Sequence, residues 1–346
     1  MKLSLPLAYD GNPRALADQV TELERAGLDG VWVAEPYGFD APSLLGYLAA
    51  KTQSVKLGAG ILNVYSRTPG ALLQTAAGLD HVSGGRAILG LGASGPQVIE
   101  GFHGVPFERP IARTREVVDL IRRGLRREVL TSNGVFQLPL ASDRGLGLGK
   151  PLKLLSKPER PVIPIYVAAL TPVSVESAAE YADGWLPFLF HPEKADSVWG
   201  AALARAAVKR PADLGPLEIS AGGLVAIGER VKPALDSMRA VYALYVGGMG
   251  ARGKNFYNDL AVAYGYGDAA REIQDLYLEG KHRDAAGKVP QEWLEAGNLV
   301  GPAAYVQERI AAFAEAGVTN LQVTPLPAEA GGDPVRTIAQ LKDWLS

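Results

Sequence analysis

A junction between helix and strand recurs along this chain and constrains its fold more than any other feature. Ala26-Gly27 leads into LDGVWVAE, Ala182-Asp183-Gly184 into WLPF, and Ala316-Gly317 into VTNLQVTP. Each time a helical pattern stops at small residues and an apolar run starts at once. Repetition of this junction describes alternating β and α units, and strands joined through helices lie parallel with right-handed crossovers. Apolar runs at 3–7, 31–34, 55–61, 87–91, 163–168, 184–189, 217–227 and 321–324 each suit a buried strand. Eight such units close a (β/α)8 TIM barrel of the α/β class. The first helix shows how a unit is punctuated. Asn12 can cap it, Pro13 suits its first turn, Leu16, Val20 and Leu23 form one apolar stripe, and Gly27 ends it.

Length agrees with this reading, since 346 residues with 47% hydrophobic content can bury the core of a single undivided domain over 1–346. Two stretches exceed simple connections. Residues 128–158, rich in Gly, Pro and Leu, hold a hairpin-like TSNGVFQLPL and read as an excursion over the barrel mouth. Residues 237–301, with helical patterns around VGGMGARGKNFYND, read as an insertion before the last strand. Both insertions are expected at the C-terminal face of the strands.

A net charge of −2 leaves no basic footprint for nucleic acid and no polybasic membrane patch. No apolar run approaches the ~20 residues of a membrane span, and the opening LSLPLAY reads as a strand, not a signal peptide. With no cysteine, disulfides and thiolate metal sites are excluded and a reducing, cytoplasmic setting is favoured. The expected partners are a small-molecule substrate and further copies of this chain, as a homodimer or higher homo-oligomer. His81, His103, His191 and His282 lack H-x-H or H-E-x-x-H spacing. No metal is expected, and each reads as a surface or hydrogen-bonded histidine.

Residues 84–95, GGRAILGLGASG, contain a match to the dinucleotide fingerprint G-x-G-x-x-G at Gly90, Gly92 and Gly95. A true fingerprint closes the first strand of a βαβ unit and opens a helix at its third glycine. Here two or three units have already passed, and PQVIEG is a poor helix start. The glycines read instead as the C-terminal rim of a mid-sequence strand, where backbone approaches a flat or anionic ligand.

Active sites of such barrels are built from the loops after the strands. Those ends read AEPYGFD (34–40), GILN (60–63), GASGP (92–96) and AALTP (168–172). Three of the four combine small residues with few charges, which lets amides reach the edge of a large planar ring. Thr171 can cap a helix starting at Pro172, and amides of that first turn could hold a phosphate. The same two residues also make an ordinary helix start. Arg252 and Lys254, set among glycines, could form a cationic nest for an anionic tail, an oligomer contact or a solvated loop. Arg67 and Arg86 are expected to pair with carboxylates across the rim.

The segments VWVAEPYGFDA, VKLGAGILNVYSRTP, HVSGGRAILGLGASGPQVIEGFHG and IPIYVAALTP, with AAEYADGWLP following, resemble the bacterial luciferase-like superfamily. The resemblance is greatest to the branch that uses the deazaflavin coenzyme F420, such as methylenetetrahydromethanopterin reductase and its actinobacterial relatives. It runs over nearly the whole chain and includes VGGMGARGKNFYNDLA. It implies a non-prolyl cis peptide at Gly60-Ile61 propping the central ring of the coenzyme. It further implies a coenzyme lined by Glu35, Gly60, Ile61 and Asn63, by the rim Gly92, Ala93, Ser94 and Gly95, and by the turn Ala168, Ala169, Leu170 and Thr171.

Sugar-phosphate and secondary-alcohol dehydrogenases of this superfamily carry a histidine just after the second-strand acid and a glutamate in the fourth-strand loop. Pro36 and Gly95 stand there in this chain, and neither can take a hydroxyl proton. The resemblance therefore implies a reductase that passes a hydride between F420 and a small unsaturated or imine-like substrate, with Glu35 the nearest carboxyl to supply a proton. An FMN-dependent monooxygenase and a non-catalytic flavin-binding barrel are the alternatives.

Overall fold

Asn12 begins the first helix as expected: its side chain accepts the Arg14 amide at 3.0 Å, and Pro13 occupies the first turn. The helix Pro13–Arg25 buries Ala17, Val20 and Leu23, whereas Leu16 is only half-buried at the edge of that stripe. Gly27 then takes a left-handed φ of +102°, and a strand buried at all four positions follows at Gly30–Val33. This computed structural model describes residues 1–9 and 11–345.

All eight expected runs become strands: β1 (Lys2–Leu7), β2 (Gly30–Val33), β3 (Lys56–Ala59), β4 (Ala87–Gly92), β5 (Ile165–Ala168), β6 (Gly184–Leu186), β7 (Glu218–Ile227) and β8 (Asn320–Pro325). Neighbours pair in parallel around a closed ring, with Glu218 of β7 opposite Gly184 of β6 and Lys2 of β1 opposite Asn320 of β8. Strands buried on both faces need helices outside them, which the crossovers supply. The expected TIM barrel is thus the observed fold, and the dinucleotide-fingerprint alternative falls.

Large side chains fill the barrel interior. Trp32 donates to Ser4 Oγ at 3.1 Å and packs 5.3 Å from the Tyr166 ring. A Cβ at Gly58 would sit 2.4 Å from the Trp32 ring, so this glycine makes room for the indole. Arg86 does not reach a carboxylate as expected. Its guanidinium is buried and donates to the carbonyls of Ala49, Thr52, Val55 and Ser83 and to Thr52 Oγ1.

The two long segments leave the barrel from different ends. Residues 128–158 follow the helix Pro110–Leu125 and precede β5, so they leave from the N-terminal end of the barrel. The expected hairpin forms, pairing Ser132 with Leu138 and Asn133 with Gln137. It lies against the outside of that helix, where Glu116 accepts from Ser132 Oγ and from the amides of Val135 and Phe136. From there it climbs the outside of the barrel toward the mouth, with Phe136 packed 4.8 Å from the guanidinium of Arg113 in the first turn of that helix, and none of its residues lines the cavity described below.

The later insertion does follow a strand, β7, and supplies helices at the mouth before the short strand Leu299–Gly301 joins the end of β7. Its aromatic side chains seat on the barrel through His191, which was expected to be exposed or fully bonded. His191 is buried, with Nε2 3.3 Å from Tyr266 Oη and Nδ1 without a hydrogen bond although the Glu193 carboxylate is 3.2 Å away. Burial, outweighing Glu193, lowers its pKa. The folded state therefore favours the neutral ring, and this contribution to stability is full above the unfolded value of about 6.5 and is lost as pH falls through the lower folded value. Melting temperatures measured from pH 7 to pH 5 should drop more steeply for the parent than for His191→Asn. Parallel curves would show that His191 is not the group responsible.

Candidate active site

The third strand stops at Ala59, and the chain resumes pairing with β4 at Leu62–Asn63 after a cis peptide between Gly60 and Ile61. The neighbouring glycines allow this close approach. A Cβ at Gly90 would lie 1.9 Å from the Ala59 carbonyl oxygen, and one at Gly92 would lie 2.1 Å from Ile61 Cδ1. The absence of a side chain at these two glycines thus makes room for the neighbouring chain at Ala59 and Ile61. Gly95 is different, since nothing lies within 4 Å of an added Cβ there. It begins a short helix, Pro96–Gly101, where none was expected. Between them Ser94 holds a left-handed φ of +59°, a conformation that non-glycine residues adopt at a cost and mostly at functional sites.

Above this framework a cavity of about 340 Å³ opens at the C-terminal ends of β3 to β6, within the size range of small-molecule sites. Ile61, Ala93, Ser94, Ala168, Ala169, Leu170 and Thr171 line it. The inner end is apolar, with Val167, Leu186 and Phe188. The outer end runs between the helices Pro110–Leu125 and Pro172–Tyr181 and presents the hydroxyls of Thr114, Ser174 and Ser177. Thr171 caps the second helix, its Oγ1 accepting the Ser174 amide at 3.3 Å. With Pro172 lacking an N–H, little of that first turn is left to grip an anion. Tyr181, at the outer end, has its phenol pushed up to about 12 by burial, so it stays neutral at ordinary pH.

Other sequence candidates sit around the cavity without lining it. Asn63 is buried and turns its Oδ1 onto the Tyr65 amide at 2.8 Å. Glu35 is gripped by Arg67 through both guanidinium nitrogens, one of them at 2.9 Å, and also accepts the Ala41 amide at 2.9 Å. Arg67 thus finds the carboxylate expected of it, and Glu35 raises its pKa. The pair ties the loop after β2 to the loop after β3. A carboxylate with both oxygens so engaged is a poor proton donor.

Arg252 is mostly exposed and pairs with Asp275 at 2.8 Å, and neither it nor Lys254 lines the cavity. The turn they occupy instead delivers Phe256 and Tyr257 into the cavity wall, with Asn255 capping the helix Phe256–Ala263 through the Tyr257 amide at 2.9 Å. Sequence reasoning marked this segment for its cations and missed its aromatics. It also missed Phe107, Ile111, Thr114, Ser174 and Ser177, which only the packing of two helices brings to the cavity.

A parallel eight-stranded barrel with a largely apolar cavity at the strand ends defines a TIM-barrel protein built to take a small molecule there. More particularly, this chain belongs to the luciferase-like monooxygenase family, whose model matches residues 2–320. It is 39% identical over 99% of both chains to the Mycobacterium tuberculosis protein named "putative coenzyme F420-dependent oxidoreductase". It is 29% identical to the 5,10-methylenetetrahydromethanopterin reductase of Archaeoglobus fulgidus, over 93% of this chain and 92% of that one. Among solved structures, the coenzyme F420-dependent tetrahydromethanopterin reductase of Methanopyrus kandleri superposes with a TM-score of 0.78, covering 98% of this chain and 96% of that one at 24% identity.

Proposed function

We propose that this protein is an F420-dependent oxidoreductase that transfers a hydride between the deazaflavin coenzyme and a small unsaturated or imine-like substrate. One observation carries the reading: the cavity at the barrel mouth is lined mostly by apolar residues, with Thr114, Ser174 and Ser177 contributed by the two helices beside it. That distribution fits a molecule with a flat fused ring and a polar side chain. Ile61, Ala93 and Ala168 to Leu170 would hold the ring, and Thr114, Ser174 and Ser177 the tail. The names of the relatives support the choice of coenzyme.

When bound, the coenzyme supplies a hydride at a ring carbon. The chain orients it, keeps water from the inner end and leaves the face toward the insertion for the substrate. The lining contains no carboxylate, histidine, lysine or arginine, so an alcohol would find no base. This agrees with Pro36 and Gly95 standing where alcohol oxidation needs titratable groups. Parallel fluorescence titrations of the purified protein with F420 and FMN test the reading. F420 should bind at least about tenfold more tightly, a difference of ~1.4 kcal/mol. Equal or reversed affinities would overturn the assignment in favour of a flavin.

A further inference from the structure

Five phenylalanine or tyrosine side chains are exposed among the described residues: Tyr37, Phe39, Phe102, Phe188 and Phe256. All five stand on segments that follow strand C-termini, after β2, β4, β6 and β7. Exposed apolar surface gathered at one place marks a binding site, whereas scattered residues do not. The rings also meet across different loops. Phe39 lies 5.4 Å from Tyr9, Tyr37 lies 6.4 Å from Phe102, and Phe188 lies 4.4 Å from Tyr245. Phe188 packs 6.0 Å from Tyr257, so this wall runs into the cavity.

Two of the charges at this rim are committed, while Lys254 stays exposed on the turn before Phe256. Arg67 is bound by Glu35, and Asp40 accepts the amide and hydroxyl of Ser43. A flat conjugated molecule would find faces and edges to stack on there. The cavity lining also offers no strong acid. A hydride acceptor that needs a proton delivered in the same step is therefore disfavoured against one whose reduced anion is delocalised.

Building on the coenzyme reading above, we infer that the aromatic rim selects a flat, uncharged, quinone-like acceptor. A hydride, carrying two electrons, moves from the reduced coenzyme to the quinone. The coenzyme is left oxidised, and the hydroquinone anion takes its second proton from water at the open mouth.

Calorimetric titration with 2-methyl-1,4-naphthoquinone tests this on the parent and on a Phe39→Ala/Phe102→Ala double variant, with glucose 6-phosphate as the contrasting probe. F420 binding is measured separately on both proteins. The parent should bind the naphthoquinone, with and without F420, and should not bind the sugar phosphate. The double variant should bind the naphthoquinone roughly tenfold more weakly, from the loss of two ring contacts, while its F420 affinity is unchanged. Reduced F420 should be consumed with the quinone and not with the sugar phosphate. Parent protein that binds F420 but not the quinone, or a double variant that binds the quinone as well as the parent does, overturns the substrate inference and leaves the coenzyme reading standing. Failure of F420 itself to bind overturns both.

Discussion

Gly90→Ala is expected to destabilise this barrel by about 3 kcal/mol or more, at or beyond the upper end of what overpacking in a core costs. The new Cβ would fall 1.9 Å from the Ala59 carbonyl oxygen and 3.0 Å from its carbonyl carbon. Both are backbone atoms of the neighbouring strand, so no rotamer change relieves the overlap. Relief requires β3 and β4 to separate, which breaks the register Leu57 to Ala87 and Gly58 to Ile88 and pulls Ile61 from the cavity wall. Gly95→Ala is the control, because its Cβ would meet nothing within 4 Å and its φ of −125° suits any residue. It should stay within about 0.5 kcal/mol of the parent. Urea unfolding of the two variants beside the parent decides the matter. A Gly90→Ala protein that unfolds with the parent would show that the two strands are not held at this distance.

Ala169→Leu is expected to weaken F420 binding by roughly ten- to a thousandfold, or about 1.4 to 4 kcal/mol, with the melting temperature of the coenzyme-free protein almost unmoved. Trp185 Nε1 donates to the Ala169 carbonyl at 2.9 Å, which fixes the backbone, while the side chain faces the cavity. Ala169 borders the cavity and is only partly buried, so a leucine there has the cavity to extend into. A ring proposed to rest on Ala168 to Leu170 would be displaced, together with the hydrogen bonds its tail makes further out. The mechanism differs from simple blocking of amides, since Thr171 already caps the helix that follows. Coenzyme titration and thermal melting of the same preparation separate the two effects. A folded variant with parental affinity would place the ring elsewhere.

Much of the fold was legible because its signals are local. Asn12 and Pro13 start a helix, Gly27 ends one, and each short apolar run becomes a strand, through interactions spanning a few residues. The order of the runs pointed to a parallel sheet with helical crossovers, and eight units suit its closing into a barrel. The small residues of the strand ends were legible as well, and those at 61, 93, 94 and 168–171 line the cavity. The end of the barrel from which residues 128–158 leave could have been read from the same grammar, since they follow a helix and precede a strand.

Other features depend on where separate loops meet, which no local pattern encodes. The carboxylate of Glu35 was readable as a charge near a mouth, yet its grip by Arg67, 32 residues on, appears only when the loops after β2 and β3 lie side by side. Gly90 and Gly92 were readable as places of close backbone approach, and only their distances to Ala59 and Ile61 show which neighbours need that room. Phe188, Tyr245 and Tyr257 are scattered in the chain and form one wall in space. By itself, then, the sequence determined the periodicity, the caps and the strand order, because these are set by backbone preferences and burial within each unit. Tertiary structure decided which side chains face the cavity, which charges are paired and which rings gather at the mouth, because those outcomes depend on distances between units that are fixed only when the barrel closes.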